Sequence, residues 1–209
     1  MSGDSYRRVA RWYDSLFESL NGDLWSMGMT MLSLQKGTSV LDVGCGTGVQ
    51  LDLYQKAGCK AFGIDTSPAM LEVARQRLSE RADLYLGDAS DMPYPARTFD
   101  LIVSTMTLHA MPGAIRAAVM NEAKRALKTD GWILLVDFHP GPIQPPGGWL
   151  TKSIILGFEM AGGREHFKNY RDFMSHKGLP SLIAAHGLVV EKKRIIKGGN
   201  MGLFLLRLE

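Results

Sequence analysis

The 209-residue sequence has little of what marks a secreted or membrane-spanning protein. Its two cysteines, Cys45 and Cys59, are too few for a disulfide framework, which favours reduced thiols inside a cell. No stretch approaches the ~18 consecutive apolar residues of a membrane span, and the first residues lack the apolar run of a signal peptide. We therefore expect a soluble, cytoplasmic protein.

The excess of positive charge is also small. A formal net charge of +3 permits weak attraction to anionic surfaces but is no argument for nucleic acid. Apolar residues make up 45% of the chain and charged residues 22%, an ordinary globular composition that excludes disordered and collagen-like classes. At this length the chain can form one domain with a well-buried core.

Short β-rich runs alternate with helical patterns along the chain. The predicted strands are 39–43, 60–64, 83–87, 99–105, 132–138, 188–197 and 201–209. Such alternation predicts a parallel sheet covered by helices on both faces, and the short glycine turn between the last two runs predicts an antiparallel hairpin. The predicted fold class is α/β: a Rossmann-like, doubly wound, mostly parallel seven-stranded sheet that ends in an antiparallel hairpin.

A glycine-rich segment, "VLDVGCGTG" at 40–48, joins the first strand to the following helix. Its glycines are Gly44, Gly46 and Gly48. A dinucleotide loop has the spacing G-x-G-x-x-G, and Val49 stands where its third glycine would be. The carboxylate of Asp42 at the mouth of the loop would repel a pyrophosphate but attract an ammonium or sulfonium group. The segment therefore favours a cationic ligand that lies against bare backbone.

Two further acids follow the next two strands. Asp65, in "GIDTSP", is placed to accept hydrogen bonds from both ribose hydroxyls. Asp88, in "GDAS", could accept one from an exocyclic amine while the Ala89 N–H meets a ring nitrogen. Each acid alone could be a cap or turn residue. Acids at the carboxyl ends of three successive strands, where open α/β sheets bind ligands, favour a binding site.

In their order, the motifs "VLDVGCGTG", "GIDTSPAML", "GDAS", "FDLIVST" and "LKTDGWILLVDF" resemble those of class I S-adenosylmethionine-dependent methyltransferases, over residues 38–138. The resemblance implies S-adenosyl-L-methionine as cofactor and S-adenosyl-L-homocysteine as product. More loosely, the chain resembles the small-molecule branch that includes quinone-biosynthesis C-methyltransferases and phospholipid N-methyltransferases. One departure is the predicted turn "KTDG" at 128–131, which in the family commonly reads Lys-Pro-Gly-Gly.

The resemblance also implies roles for residues at the matching positions. Asp42 would face the methionyl amino group, Asp65 would bind the ribose, and Asp88 with Ala89 would bind the adenine. Ser104 would lie under the methionyl group and offer only its backbone. The whole predicted cofactor-binding set is Asp42, Gly44, Cys45, Gly46, Gly48, Asp65, Thr66, Met70, Asp88, Ala89 and Ser104.

The chain is expected to be one methyltransferase domain in four parts. They are an N-terminal helical cap at 1–36, a cofactor-binding core at 37–138, a substrate-side insertion at 139–180, and the last helix with the closing hairpin at 181–209. The insertion opens with "HPGPIQPPGGW" at 139–149, which predicts an irregular loop. The apolar helical segment after it could form a lid over a pocket, thicken the core, or dock on a membrane.

Methyl transfer from a sulfonium is an in-line displacement that needs alignment and exclusion of water. A phenol or carbon acid as acceptor would benefit from a base, and His109 and His139, which follow the fourth and fifth strands, are the candidates. The alternative is that both histidines bond to backbone or line the pocket. Tyr13, Tyr170 and Arg171 are candidate substrate contacts, and no metal ligand is identified.

The leading functional hypothesis is methyl transfer to a small apolar or amphipathic molecule, such as a quinone-, lipid- or polyketide-like acceptor. A nucleic-acid or protein methyltransferase is a second hypothesis, weakened by the lack of an Asn/Asp-Pro-Pro-aromatic signature and of a basic, aromatic-interleaved stripe. A non-catalytic cofactor-binding domain is a third, and a dehydrogenase, disfavoured by the loop spacing, is a fourth. The sequence leaves open the acceptor atom, the oligomeric state and peripheral membrane contact.

Overall fold

The computed structural model describes residues 24–78, 80 and 82–209. Tyr13 and most of the predicted N-terminal cap lie outside the described residues. Among the described helices, none combines the length and the apolar character that crossing a membrane requires.

Seven strands and seven helices form the described part of the chain. The strands are β1 (Ser39–Val43), β2 (Lys60–Asp65), β3 (Asp83–Leu86), β4 (Phe99–Thr105), β5 (Leu127–Phe138), β6 (Leu188–Ile196) and β7 (Met201–Leu208). The helices are α1 (residues 24–30), α2 (Val49–Lys56), α3 (Pro68–Arg77), α4 (Gly113–Ala126), α5 (Gly147–Ala161), α6 (Arg164–Ser175) and α7 (Gly178–Ala185). Two short 3-10 turns cover Leu108–Ala110 and Lys197–Gly199.

The seven strands form one sheet in the order β3-β2-β1-β4-β5-β7-β6. The first five strands in this order pair in parallel with one another, and β7 pairs antiparallel with both β5 and β6. The predicted fold class is confirmed. The first strand, β1, lies in the middle of the sheet. The next two strands are added outward from it to β3, and the chain then returns to form β4 on the other side of β1. This reversal places a crevice at the carboxyl ends of β1 and β4, where sheets of this kind bind ligands.

The central strands are buried on both faces, which is why they read as continuous apolar runs in the sequence. Val40 and Leu41 of β1 are fully buried, as are Val103 of β4 and Ile133 and Leu134 of β5. The edge strand β6 differs because most of its residues are exposed. Its "EKKR" segment carries charge along the open edge, a device that discourages pairing with another chain.

The start of α3 is capped by its own sequence. The Ser67 hydroxyl accepts a hydrogen bond from the Met70 N–H at 3.1 Å, and Pro68 occupies the first turn, where its missing N–H costs nothing. The helix thus begins three residues after Asp65, which keeps the end of β2 and the helix N-terminus close together.

Three local expectations need correction. The predicted loop at 139–149 is helical from Gly147 onward. The glycine at 148 is needed there for packing, because a Cβ at Gly148 would lie 2.5 Å from the Gly198 carbonyl oxygen. The "KTDG" segment is no separate turn: β5 begins at Leu127, and residues 128–131 are inserted as an irregularity in its pairing with β4. The last helix begins at Gly178, before the expected boundary at 181.

Candidate functional site

The three acids singled out in the sequence lie at one edge of the sheet. Asp42 is the penultimate residue of β1, Asp65 is the last residue of β2, and Asp88 follows β3 by two positions. These strands are neighbours and run in parallel, so their carboxyl ends lie side by side. The structure therefore places the three predicted acids along one edge of the sheet in the order Asp42, Asp65, Asp88.

Two glycines of the loop after β1, Gly44 and Gly46, have different structural roles. Gly44 has a φ of +71°, and a Cβ there would lie 2.3 Å from Cγ2 of Thr107, so the backbone approaches the segment after β4 very closely. Gly46 has a φ of +54°, but a Cβ there would meet nothing within 4 Å. Gly46 therefore presents bare backbone to open space, as a loop that receives a ligand must.

Asp65 joins this loop to the start of α3. One carboxylate oxygen accepts a hydrogen bond from the Gly46 N–H at 2.8 Å, and the other accepts one from the Ser67 N–H, also at 2.8 Å. A carboxylate can accept several hydrogen bonds at once, so one side chain can hold both the loop and the start of the helix. The acid thus fixes the shape of the loop at the end of β2.

Asp42 lies below the loop and is almost completely buried. Burial, with a smaller contribution from the nearby charge of Asp65, raises its pKa to about 8. A cation beside this buried carboxyl group would favour its ionised form, because the attraction of an ammonium group would offset the cost of burying the negative charge.

The remaining residues of the predicted cofactor set surround these acids at varied depth. Met70 and Ala89 are buried, whereas Thr66 and Asp88 are exposed. Asp88 accepts a hydrogen bond from the Ser90 N–H at 2.8 Å, which shapes the turn after β3.

Cys45, Gly48 and Ser104 complete the predicted set, and all three are buried. Burial raises the pKa of the Cys45 thiol, which is therefore uncharged and acts as a small apolar group. The Ser104 hydroxyl donates a hydrogen bond to the Val43 carbonyl oxygen at 3.3 Å. Its side chain is thus used between strands, in keeping with the expectation that Ser104 offers only backbone to a ligand.

His109 lies in the 3-10 turn after β4 and is buried against an acid of β5. Its Nδ1 lies 2.8 Å from Oδ1 of Asp137, and its backbone N–H donates to Oδ2 at 3.2 Å. Burial by itself lowers the pKa of His109, but the charge and hydrogen bond of Asp137 and the charge of Glu159 outweigh it, so the pKa is raised. The imidazole is thus held in one orientation with Nε2 facing away from Asp137.

The turn that carries His109 is braced by two helices. Arg116 of α4 is buried and donates hydrogen bonds to the carbonyl oxygens of Leu108 at 2.9 Å and Met111 at 2.7 Å. Asn169 of α6 donates from Nδ2 to the carbonyl oxygen of Ala110 at 2.8 Å. The carbonyl oxygens of Leu108, Ala110 and Met111 thus all have side-chain donors, which support the turn beneath the imidazole.

The second candidate base, His139, has different neighbours. Its Nδ1 lies 3.2 Å from the Gly199 carbonyl oxygen and 3.2 Å from the Gly141 N–H group, and its ring stacks on Phe204. Burial lowers the pKa of His139, partly opposed by the Gly199 contact. The ring therefore connects the loop after β5 to the turn between β6 and β7, apart from the Asp137 pair.

Tyr170 and Arg171, the predicted substrate contacts of α6, lie at different depths. Tyr170 is buried, with its ring 5.1 Å from that of Phe138 and 6.4 Å from that of His109, and burial together with the charge of Glu159 raises its pKa to about 12. Arg171 is exposed. Both line a cavity of about 750 Å³ between α5 and α6. Its other lining residues include the apolar Leu156, Phe167 and Met174 and the basic Lys152, Arg164 and Lys168.

The candidates identified from the sequence do not include Asp137, Glu159 or His166. Glu159 of α5 and His166 of α6 reach the same cluster as His109, although about 50 residues separate them along the chain. No spacing motif indicates this set. The one usable signal was Asp137, an acid inside the apolar run "WILLVDF", since a buried acid needs a partner.

Comparisons with known proteins agree with this geometry. A family model described as a methyltransferase domain matches residues 41–135. The chain is 31% identical over 141 residues to a demethylmenaquinone methyltransferase of Tropheryma whipplei, covering 65% of this chain and 58% of that protein. It is 27% identical over 219 residues to a chloroplastic 2-phytyl-1,4-beta-naphthoquinone methyltransferase of Arabidopsis thaliana, covering 94% and 83%.

The fold is also found among solved structures. A chain in the complex between the Haloferax volcanii Trm112 methyltransferase activator and a methyltransferase superposes with a TM-score of 0.71. The match covers 99% of both chains at 16% sequence identity, so it shows that the fold is shared and nothing more.

Proposed function

We propose that this chain, which contains a methyltransferase domain and resembles quinone methyltransferases, transfers a methyl group from S-adenosyl-L-methionine to a small amphipathic acceptor. The observation that carries the proposal is the row of acids at the carboxyl ends of β1, β2 and β3, beside the open backbone of Gly46. A cationic nucleoside fits this arrangement, whereas a pyrophosphate would meet negative charge.

In this proposal the residues of the first half of the chain bind the cofactor. Asp42 pairs with the methionyl ammonium group, Asp65 accepts hydrogen bonds from the ribose, and Asp88 with Ala89 binds the adenine. The close contact of Gly44 with Thr107 keeps the loop fixed, and Gly46 leaves the space above it free. When bound, the cofactor supplies an electrophilic methyl group on a positively charged sulfur.

The second half of the chain receives the acceptor. The cavity between α5 and α6 combines apolar side chains with one acid, Asp172, and four cationic side chains, Lys152, Arg164, Lys168 and Arg171. Such a lining suits a molecule with an apolar body and an anionic or strongly polar end. The names of the quinone methyltransferase relatives support an acceptor of the quinone class, and the cavity supports an amphipathic one.

Catalysis then depends on alignment and on exclusion of water. The sulfonium becomes neutral as the methyl group leaves, so no oxyanion has to be stabilised. The buried rings of His109 and Tyr170 lie 6.4 Å apart on the acceptor side, and the hydrogen bond to Asp137 holds the His109 ring in one orientation. They position the acceptor and keep its reacting group out of bulk water.

The proposal is tested by incubating the protein with a labelled methyl donor and a metabolite extract, followed by mass spectrometry of labelled products. We expect label in a small amphipathic molecule and none with Asp65→Ala. Label found only in RNA or polypeptide would overturn the small-molecule assignment, and persistent labelling by the Asp65→Ala variant would overturn the site map.

A further inference from the structure

Three ligand-type side chains converge behind the acceptor side of the site. The carboxylate oxygen Oε2 of Glu159 lies 2.8 Å from Nε2 of His166 and 3.6 Å from Nε2 of His109. These three atoms all lie within 4.8 Å of one another. Two bonds of ~2.0–2.2 Å meeting at a tetrahedral zinc ion place their donor atoms ~3.3 Å apart, so the three atoms already have nearly the spacing that one ion requires.

Asp137 prepares His109 for such a role. Because Nδ1 of His109 is bound by the carboxylate of Asp137, Nε2 is the nitrogen left to face Glu159 and His166. Metal-binding histidines commonly use their second nitrogen in this way, and the carboxylate fixes the tautomer and increases the basicity of the ligand nitrogen. Asp137 is completely buried, and its hydrogen-bond partners in the described part of the chain are the His109 ring and the backbone N–H groups of His109 and Phe138.

The Glu159 oxygen is the second indication. It is buried, and within the described part of the chain no well-aligned hydrogen bond reaches it, although two imidazole nitrogens lie at ion-pair distance. A charged oxygen in this setting is costly unless a cation neutralises it. Two imidazole nitrogens and a carboxylate oxygen that face one another in this way are arranged as ligands around a common centre.

We propose that His109, Glu159 and His166 bind a divalent zinc-type metal ion. Two imidazoles and one carboxylate are a donor set that suits zinc and related transition metals, whereas magnesium and calcium prefer oxygen ligands alone. Three protein ligands also leave a coordination position open, as in catalytic rather than structural zinc sites. This revises the expectation from the sequence, which identified no metal ligand.

The position of the cluster indicates what the ion would do, and this step rests on the proposed function. His109 follows Thr107, which touches Gly44 of the cofactor loop, and Tyr170 lies between the cluster and the cavity of α5 and α6. An acceptor hydroxyl bound to the ion would lose its proton to solvent more readily. The resulting oxygen anion, or a carbon conjugated with it, would form the new bond to the methyl group as the carbon–sulfur bond breaks.

The test measures metal binding on the full chain without cofactor or acceptor. Protein treated with a chelator is titrated with Zn²⁺ by calorimetry and with Co²⁺ by visible absorption, and Mg²⁺ is a control ion. We expect one Zn²⁺ per chain, tetrahedral Co²⁺ bands that Zn²⁺ abolishes, and no effect of Mg²⁺. The variant His166→Ala should lose at least ~100-fold in Zn²⁺ affinity, beyond the 10–100-fold typical of residues that only support ligands.

His176→Ala is the matched control, since His176 lies at the opposite end of α6 from His166 and is exposed, and its hydrogen bonds and ion pair among the described residues go to Asp172 and Ser175. It should bind Zn²⁺ as the unchanged protein does. Glu159→Gln, which keeps the side-chain shape, gives a second variant should His166→Ala not fold. Equal Zn²⁺ affinity in the unchanged protein and in these cluster variants, or no bound Zn²⁺ at all, would overturn the proposal. Cofactor binding in the absence of Zn²⁺ binding would refute the metal site alone and leave the proposed function standing.

Discussion

Nδ1 of His109 and Oδ1 of Asp137 lie 2.8 Å apart in the interior, where the turn after β4 meets the end of β5. The same carboxylate accepts hydrogen bonds from the backbone N–H groups of His109 and Phe138. One buried acid thus fixes both the ring and the backbone of the residue that faces the acceptor side. The pair explains how the His109 side chain keeps a fixed orientation although it lies in a short turn.

Asp137→Asn tests this pair. The amide keeps the shape of the carboxylate but brings an NH₂ group against N–H donors, which leaves buried groups unsatisfied. We expect the free energy of unfolding to fall by about 1–3 kcal/mol, measured by denaturant titration. The metal site adds a sharper expectation, a Zn²⁺ affinity lowered ~10–100-fold. Unchanged stability and unchanged Zn²⁺ affinity would show that the pair has no positioning role.

Gly46→Ala separates ligand contact from backbone strain. Both Gly46 and the distant Gly37 have positive φ values, +54° and +86°, and in both a Cβ would meet nothing within 4 Å. Each alanine variant should therefore lose a similar ~1 kcal/mol of stability from backbone strain. Only Gly46→Ala should also weaken S-adenosyl-L-homocysteine binding, because its methyl group occupies the ligand's space. Equal affinities of the two variants would contradict the assignment of this loop.

The raised pKa of Asp42 predicts a pH dependence of stability. The folded protein holds this proton up to about pH 8, whereas an unfolded chain releases it near the ordinary value of 3.8. Between these values the native state binds more protons, so the contribution of Asp42 to stability is complete at low pH and declines as the pH rises towards 8. Asp42→Asn should flatten that decline in denaturant titrations across this range. An identical pH slope in both proteins would contradict it.

Asp42 also predicts a proton release on cofactor binding. A methionyl ammonium group beside the carboxyl favours its ionised form and lowers its pKa. Calorimetric titrations near neutral pH, repeated in buffers of different ionisation enthalpy, should therefore show protons passing to the buffer. Asp42→Asn should abolish the release. A proton uptake in the unchanged protein would argue against the ammonium contact.

Arg116→Met removes the support of the turn that carries His109. Methionine can fill the space over Phe173, on which the guanidinium lies at 4.7 Å, but it removes the side-chain donors of the Leu108 and Met111 carbonyl oxygens. We expect a loss of about 2–4 kcal/mol in stability, because charged hydrogen bonds to buried groups are lost. The measurement is denaturant unfolding. A loss below 0.5 kcal/mol, roughly the scatter of surface substitutions, would show that the turn does not depend on Arg116.

The sequence predicted some parts of this molecule well for identifiable physical reasons. β1 and β4 have the predicted bounds, because strands buried on both faces form apolar runs that end at polar or glycine residues. The predicted acids lie at one sheet edge because parallel pairing alone puts them there. The prediction of an irregular loop through residue 149 was wrong because glycine pairs are usually found outside helices, whereas here Gly148 lies in α5 and is needed for close packing on Gly198.

The cluster around His109 could not be predicted in the same way. It depends on how α5 and α6 fold back over the turn after β4, which brings together residues 109, 137, 159 and 166 without any sequence spacing in common. Such tertiary packing is set by the shapes of many apolar side chains at once. The sequence identified His109 itself only because it follows a strand at the ligand edge.

The most direct test of the cofactor site is an equilibrium titration with S-adenosyl-L-homocysteine and with NAD⁺. Asp65→Ala is compared with Asp83→Ala, a change of an exposed acid at the opposite end of the neighbouring strand β3. We predict one S-adenosyl-L-homocysteine site per chain that Asp65→Ala weakens at least ~10-fold and Asp83→Ala leaves unchanged, with no binding of NAD⁺. Tight binding of NAD⁺, or equal S-adenosyl-L-homocysteine affinity in both variants, would contradict the account.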